Sequence, residues 1–179
     1  MSTEPRLTPL PADEWDDGVR HALSPLLPAS HATPDFAGNI LGTLVRHQPL
    51  THAYLTFNAH LLRESTLSAR LREVAILRAA LVSRSDYLWD HHVPLAQRAG
   101  LTDDDIEGVR VGAAADGVDA AVVRAVDELA ESKTLTDATW ALVREHLDER
   151  QVLDLIFTIG CYQVLAVTVN ALGIQPEEH

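Results

Sequence analysis

The segment from Ser83 to His92, SRSDYLWDHH, is denser in reactive side chains than any other part of the chain. It holds two histidines, two aspartates and two aromatic residues. On a helix that begins near residue 84, Ser85, Trp89 and His92 fall at positions i, i+4 and i+7, a spacing that stacks side chains on one face. This pattern is compatible with a catalytic site, a metal site or a polar helix start.

A carboxylate that could act with this segment lies twelve residues before Ser85, at Glu73 in LREVAILRAA. If Glu73 faces His92 from the preceding helix, the carboxylate orients the imidazole, and histidine titrates near neutrality as general acid–base catalysis requires. Spacing alone also allows Glu73 to pair with Arg70 or Arg72, with His92 as a satisfied, half-buried histidine. Both interpretations stay open from these residues.

Several further residues are candidates for the lining of a substrate pocket. Trp89 could form an apolar wall, and His60 lies in the helical segment FNAHLL. Tyr162, Gln163 and Asn170 are polar groups in a charge-free final helix, where each must find a partner. The alternative is that they bond to one another or to a neighbouring helix.

A metal site and a serine hydrolase are not expected. The chain has no HxxxH or HExxH pattern and no GxSxG elbow. Asp86, Asp90, His91 and His92 cannot all reach one ion from a single helix, because adjacent residues diverge by about 100°. We therefore predict no metal and no other cofactor.

Helical periodicity extends over nearly the whole chain, because apolar residues recur at intervals of three and four without strand-like alternation. Ser68 has the position of an N-cap for a helix through Val82, and Ser83 with Asp86 has the form of a capping box for the next helix. The last helix is predicted at about 149–172. We predict a single all-α domain at 12–179 of about eight helices, preceded by an extended N-terminal arm at 1–11.

The net charge and the cysteine count of the chain argue against several classes of binding partner and site. The 179 residues carry a net charge of −12, which repels nucleic acid and anionic membrane, so neither is expected as a partner. Cys161 is the one cysteine, which excludes an internal disulfide and a CxxC motif and fits a reducing cytoplasm.

The final helix contains an uncharged run from Leu155 to Pro176 that is long enough to span a membrane. Polar residues inside the run and the absence of a basic flank favour a buried core helix instead. Such a helix is hard to cover within one subunit of this size, so we expect the chain to self-associate as a dimer, trimer or hexamer.

The segment LREVAILRAALVSRSDYLWDHHVPLAQRAGL resembles the core motif of the carboxymuconolactone decarboxylase family, which includes the alkylhydroperoxidase D-like proteins. The similarity covers most of the chain from about residue 36 onward. The resemblance implies an alkylhydroperoxidase D-like helical bundle that assembles as trimers or hexamers. In the redox branch of the family, a glutamate is followed twelve residues later by Cys-x-x-Cys and then by a histidine. Glu73 and His92 match the glutamate and the histidine, whereas Ser85 and Leu88 occupy the cysteine positions.

Three functions follow from this resemblance. The first is a cofactor-free, non-redox acid–base enzyme, a decarboxylase, other lyase or isomerase, that acts on a small carboxylated or carbonyl-bearing metabolite through Glu73, His92 and Ser85. The second is an alkylhydroperoxidase or peroxiredoxin-type activity that depends on Cys161 as a lone thiol. The third is a non-catalytic, oligomeric binding protein.

Overall fold

The computed structural model describes residues 4–114 and 117–177, and every regular element among them is helical. In these residues nine α-helices and three short 3-10 helices follow one another. The α-helices are α1 (Asp17–Leu23), α2 (Pro34–Leu44), α3 (Gln48–Arg63), α4 (Ala69–Val82), α5 (Asp86–Arg98), α6 (Asp103–Val111), α7 (Val118–Ser132), α8 (Asp137–His146) and α9 (Glu149–Leu172). The predicted all-α class is confirmed, with one α-helix more than the expected eight.

Two compact units divide the chain: residues up to 64 together with those from 169 onward, and residues 65–168. The division into an arm at 1–11 and a domain at 12–179 stays a prediction. In the first unit, the buried core is formed by Val19, Leu23, Ala32, Ala37, Val45 and Leu55.

Residues 4–11 are not helical, and backbone hydrogen bonds hold this segment within the first unit. Arg6 N–H donates to the Leu172 carbonyl and Leu10 N–H donates to the Gly42 carbonyl, both at 2.8 Å. Residues 1–3 of the predicted arm lie outside the described residues.

In the second unit, α4 is the central helix. Eight of its fourteen residues are buried: Leu71, Glu73, Val74, Ala75, Ile76, Leu77, Ala79 and Ala80. A helix that is apolar on nearly all sides needs neighbours on all sides, and α5, α6 and α7 pack against it. Glu73 is therefore a charged residue type set within the core of the unit.

Two arginines fix α6 and α7 to α4. Arg70 Nη2 lies 3.1 Å from Asp105 on α6 and 2.6 Å from Asp119 on α7. Arg78 pairs with both carboxylate oxygens of Asp127 on α7, at 2.6 and 2.8 Å. Each guanidinium presents several donors in a fixed plane, so one side chain holds two neighbouring helices in register.

The caps of α4 and α5 differ from each other. Ser68 accepts a hydrogen bond from Leu71 N–H at 3.2 Å, which confirms the predicted N-cap of α4. The capping box predicted at Ser83 and Asp86 is wrong, because Ser83 is the C-cap of α4 and Ser85 is the N-cap of α5.

The physical reason for this shift is a Schellman turn at the end of α4. Arg84 N–H donates to the Leu81 carbonyl and Ser85 N–H to the Ala80 carbonyl, each at 2.9 Å. The turn requires a left-handed residue, and Arg84 supplies it with φ of +54°. The chain reverses within this turn, so α5 returns along α4 in the antiparallel direction.

The long helix α9 is fixed beside the start of α4. Thr66 donates from its N–H and its hydroxyl to Asp154 on α9, both at 2.6 Å. By length and composition alone α9 could cross a membrane, since its mean hydropathy reaches 1.9, and 44% of that window is buried within the chain. Core helices of soluble proteins reach the same length and hydropathy, so these two properties alone do not assign α9 to a membrane.

Candidate active site

Glu73 on α4 and His92 on α5 form a buried hydrogen-bonded pair. Glu73 Oε2 lies 2.9 Å from His92 Nδ1, and only 7% and 6% of the two side chains are exposed. Of the two alternative partners proposed for Glu73, Arg70 binds Asp105 and Asp119 instead, and Arg72 Nε has no hydrogen-bond partner among the described residues. The two residues predicted to form an acid–base pair are therefore in contact, and their role in catalysis stays a prediction.

This pair has the arrangement that a proton-transfer site needs. When Glu73 is ionised it accepts the Nδ1 proton, which leaves Nε2 with a lone pair that can take a proton from another molecule. If the ring gains a second proton, the adjacent carboxylate stabilises the imidazolium. The pair can thus receive and return one proton without any further ionisable group.

Two aromatic rings pack edge-on to His92. The Tyr162 ring of α9 lies 5.1 Å from the imidazole centroid at an interplanar angle of 88°. The ring of His91 lies 5.4 Å away at 67°. Tyr162 is 3% exposed, so this contact with the imidazole is buried.

Ser85 and Trp89 share the buried face of α5 with His92, as their spacing predicted. Ser85 is 2% exposed and Trp89 is 6% exposed. The guanidinium of Arg110 on α6 covers the Trp89 ring at 4.6 Å from its centroid, a cation–π contact. Trp89 is thus held in place from outside, which suits the predicted role of an apolar wall.

The other candidates for a pocket lie in less protected positions. His60 is exposed on α3, Asn170 is exposed on α9, and Gln163 is half-buried. His60 and Asn170 belong to the first unit, whereas Glu73 and His92 belong to the second. Their exposure gives no support to a pocket role within this chain, which remains only a prediction.

Five buried polar atoms have no hydrogen-bond partner among the described residues: Thr43 Oγ1, Arg72 Nε, Ser85 Oγ, Asp119 Oδ1 and Thr158 Oγ1. Two of them lie on helices that carry site residues, on the same face as those residues. Ser85 is two turns before His92 on α5, and Thr158 is one turn before Tyr162 on α9. Most buried polar groups in proteins are bonded, so these two hydroxyls mark places where a ligand could bond.

Thr158 was not among the residues selected from the sequence. Its signal was present, because a threonine at i−4 from Tyr162 lies on the same helical face. That signal alone does not separate a functional residue from a core threonine. As regards metal ions, residues 4–114 and 117–177 contain no cluster of three or more His, Cys, Asp or Glu placed to hold one.

Comparison with known proteins agrees with this fold. The model of the carboxymuconolactone decarboxylase family matches residues 48–131, a segment that contains Glu73, Ser85 and His92. No curated protein matches the chain.

Solved structures similar to the chain include three that cover nearly all of it. An uncharacterized peroxidase-related protein from Ralstonia eutropha JMP134, with an alkylhydroperoxidase AhpD core, has a TM-score of 0.77 at 15% identity and covers 96% of this chain and 93% of its own. A peroxidase-related protein from Silicibacter sp. TM1040 has a TM-score of 0.72 at 17% identity, over 97% of this chain and 89% of its own. The debrominase Bmp8 has a TM-score of 0.74 at 13% identity, over 98% of this chain and 94% of its own. Similarity at this level of identity defines the fold alone.

Proposed function

The chain belongs to the carboxymuconolactone decarboxylase family, and on this premise we propose that it is a non-redox enzyme that uses acid–base chemistry without a cofactor. Its substrate is a small carboxylated or carbonyl-bearing metabolite, and its reaction is that of a decarboxylase, another lyase or an isomerase. The observation that carries this proposal is the buried 2.9 Å contact between Glu73 Oε2 and His92 Nδ1.

The chemistry follows from the two protonation states of His92. In an isomerisation, Nε2 takes a proton from a carbon next to a carbonyl group, and the electron pair of the broken C–H bond moves toward the carbonyl oxygen. The imidazolium then returns the proton to another carbon of the conjugated system, and the electron pair forms the new C–H bond. In a decarboxylation, the C–C bond to the carboxylate breaks, carbon dioxide leaves, and the electron pair stays on the substrate until the imidazolium protonates that carbon. Glu73 stabilises the imidazolium in both cases, and exclusion of water strengthens this interaction.

The residues at the predicted cysteine positions support proton chemistry over thiol chemistry. A peroxide-reducing dithiol site needs one thiolate that attacks and a second sulfur that resolves the product. Ser85 and Leu88 stand at those positions, and Cys161, the one thiol of the chain, is buried at 4% exposure on α9. Catalysis on this fold is supported by the similar debrominase Bmp8, which is an enzyme.

The experiment that tests the proposal follows carbon–hydrogen exchange, so it needs only the substrate class. Lactone acids, β-keto acids and α,β-unsaturated carboxylic acids are incubated with the protein in deuterated water, and NMR records release of carbon dioxide or incorporation of deuterium at carbon. His92→Ala and Glu73→Gln should each lower the rate on an accepted compound by at least about a hundredfold, the lower range of general acid–base catalysis. Both variants should keep the helical circular dichroism of the native chain.

His146→Ala is the matched control, because this histidine is exposed on α8. Its rate should equal that of the native protein. If His92→Ala retains the native rate on the same compound, the proposed role of the pair is wrong.

We propose further that the protein is cytoplasmic and that it associates with copies of itself. Its net charge of −12 supports a role without nucleic acid or membrane partners. The alternative of a non-catalytic binding protein predicts that Glu73 and His92 are exposed to solvent or contact structural neighbours only. Their burial argues against the exposed form, and the turnover of His92→Ala tests the other form.

A further inference from the structure

Ser85 carries a hydroxyl group that the described chain buries but does not use. The residue is 2% exposed, and its Oγ has no hydrogen-bond partner among the described residues. It stands at the N-cap of the 13-residue helix α5, where serine normally accepts a bond from a first-turn N–H, and it makes no such bond. A buried hydroxyl without a partner is unfavourable, so its retention at this position points to a partner from outside the chain.

Four other α-helices begin with a Ser, Thr or Asp cap, whereas α2 and α7, like α5, have no side-chain cap bond. The side chains of Asp16, Ser68, Thr102 and Thr136 accept hydrogen bonds from the first turns of α1, α4, α6 and α8. At α5 the N-cap residue is a serine, but its side chain accepts no hydrogen bond from the first turn. The Schellman turn at Arg84 explains this geometry, because it fixes the backbone of Ser85 through its bond to Ala80.

The N-terminal end of α5 lies on the same helical face as His92. Ser85 and His92 share one buried face, and two helical turns separate their Cα atoms by about 10 Å along the axis. Helical side chains lean toward the N-terminus, so the His92 imidazole leans toward Ser85. A molecule of a few carbon atoms has the length to span the distance between Nε2 and the helix start.

We propose that the N-terminus of α5 binds a carboxylate group of the substrate. The Ser85 hydroxyl donates one hydrogen bond, and the partial positive charge of the helix start adds to the attraction. A helix N-terminus carries partial positive charge and favours an anion over a neutral carbonyl group, so the substrate is carboxylated. This inference rests on the proposed function, and it assigns the carboxylate to α5 and proton transfer to His92.

Binding of simple carboxylates tests the site without any turnover. Isothermal titration is carried out with glutarate, benzoate and hexanoate, and with the corresponding amides. The native protein should bind at least one carboxylate and none of the amides at the same concentration. Ser85→Ala should weaken carboxylate binding by about tenfold, the effect of one charge-assisted hydrogen bond.

Ser68→Ala is the matched control, since Ser68 is the same residue type at the N-cap of the neighbouring helix and its hydroxyl is bonded to Leu71 N–H. It should lower the thermal midpoint by about 3 °C, as loss of a cap does, and leave carboxylate binding unchanged. Ser85→Ala should leave the midpoint unchanged, because no bond within the chain is lost.

A second variant tests the electrostatic attraction between the start of α5 and the carboxylate. Asp86 is exposed at the first position of α5, where its charge opposes an incoming anion. Asp86→Asn should therefore strengthen carboxylate binding by a few-fold, with a smaller gain at high salt. The inference is overturned if no carboxylate binds, if Ser85→Ala binds as tightly as the native chain, or if Asp86→Asn weakens binding.

His92→Ala should bind carboxylate normally while it loses turnover, so failure of this site and failure of the proposed function give different results.

Discussion

At the scale of residues, the protein has the glutamate and the histidine of the motif and has no cysteine at its two thiol positions. Glu73 and His92 are in contact and buried, whereas Ser85 and Leu88 stand where the redox branch would carry thiols. Serine has no accessible oxidation ladder and a far higher pKa than cysteine, so it cannot replace a peroxidatic thiol. Ser85 retains the ability to donate a hydrogen bond, which suits recognition of an oxygen atom.

The thiol of Cys161 should not take part in the reaction. Cys161→Ala should leave turnover in the deuterium assay within about twofold of native, because acid–base catalysis needs only the Glu73–His92 pair. Consumption of tert-butyl hydroperoxide, followed in the presence of a dithiol reductant, should be equally slow in the native protein and the variant. Rapid consumption by the native protein that Cys161→Ala abolishes would support the thiol mechanism instead.

At the scale of elements, α4 positions the site and its neighbours hold α4 in place. Residues on nearly all sides of α4 are buried, so the orientation of Glu73 depends on the register of α5, α6 and α7. Arg70 sets part of this register, because it binds Asp105 at the N-terminus of α6 and Asp119 on α7. The α6 start is closed further by a capping box between Thr102 and Asp105.

Stability should depend on pH through Asp105. Hydrogen bonding to Arg70, with further bonds from the backbone and hydroxyl of Thr102, lowers the pKa of this carboxyl to about 2. Because the folded pKa lies below the unfolded pKa of about 3.9, the contribution is complete above pH 4–5 and is lost as pH falls toward 2. After a discount for solvent screening, Asp105→Asn should lower the free energy of unfolding by about 1 kcal/mol at pH 7.

Urea denaturation at several pH values measures this effect. The difference between native protein and Asp105→Asn should be constant from pH 7 to 5 and should shrink below pH 4. Asp17→Asn serves as the control, since its exposed pair with Arg20 should contribute little at any pH. A difference for Asp105→Asn that does not change between pH 7 and 3 would contradict the assignment.

At the scale of the whole molecule, one face of α9 presents a row of exposed apolar side chains. We call this the α9 seam, and it consists of Leu153, Phe157, Gly160, Val164 and Val167. Intervals of four and three residues alternate along it, as in the contact positions of a coiled coil. Its four side chains are 53–64% exposed, and open space surrounds the position of a Cβ at Gly160. A second copy of the chain, with the same uncharged seam, is the partner that we propose for this surface.

A charge placed on the α9 seam should prevent association. Val164→Glu should convert the oligomer to monomer at micromolar concentration, because pairing would bury an unpaired carboxylate. Light scattering coupled to size-exclusion chromatography gives the mass of each species. Val111→Glu is the matched control, since Val111 on α6 is 63% exposed and Val164 is 60% exposed. Equal masses for the native protein and Val164→Glu would refute the seam as an interface.

The sequence by itself determined the helical class, the cap at Ser68, the extent of α9 and the shared face of Ser85, Trp89 and His92. These features depend on periodicity and on local capping chemistry, which a linear pattern records directly. Only the tertiary structure decided whether Glu73 forms its hydrogen bond with His92 or pairs with an arginine, because contacts between helices depend on packing angle and register. It also showed that the Ser85 side chain makes no capping hydrogen bond with its own helix. The Schellman turn at Arg84, a left-handed conformation at a non-glycine residue, moved the helix start by two residues, and no pattern in the sequence gives notice of such a turn.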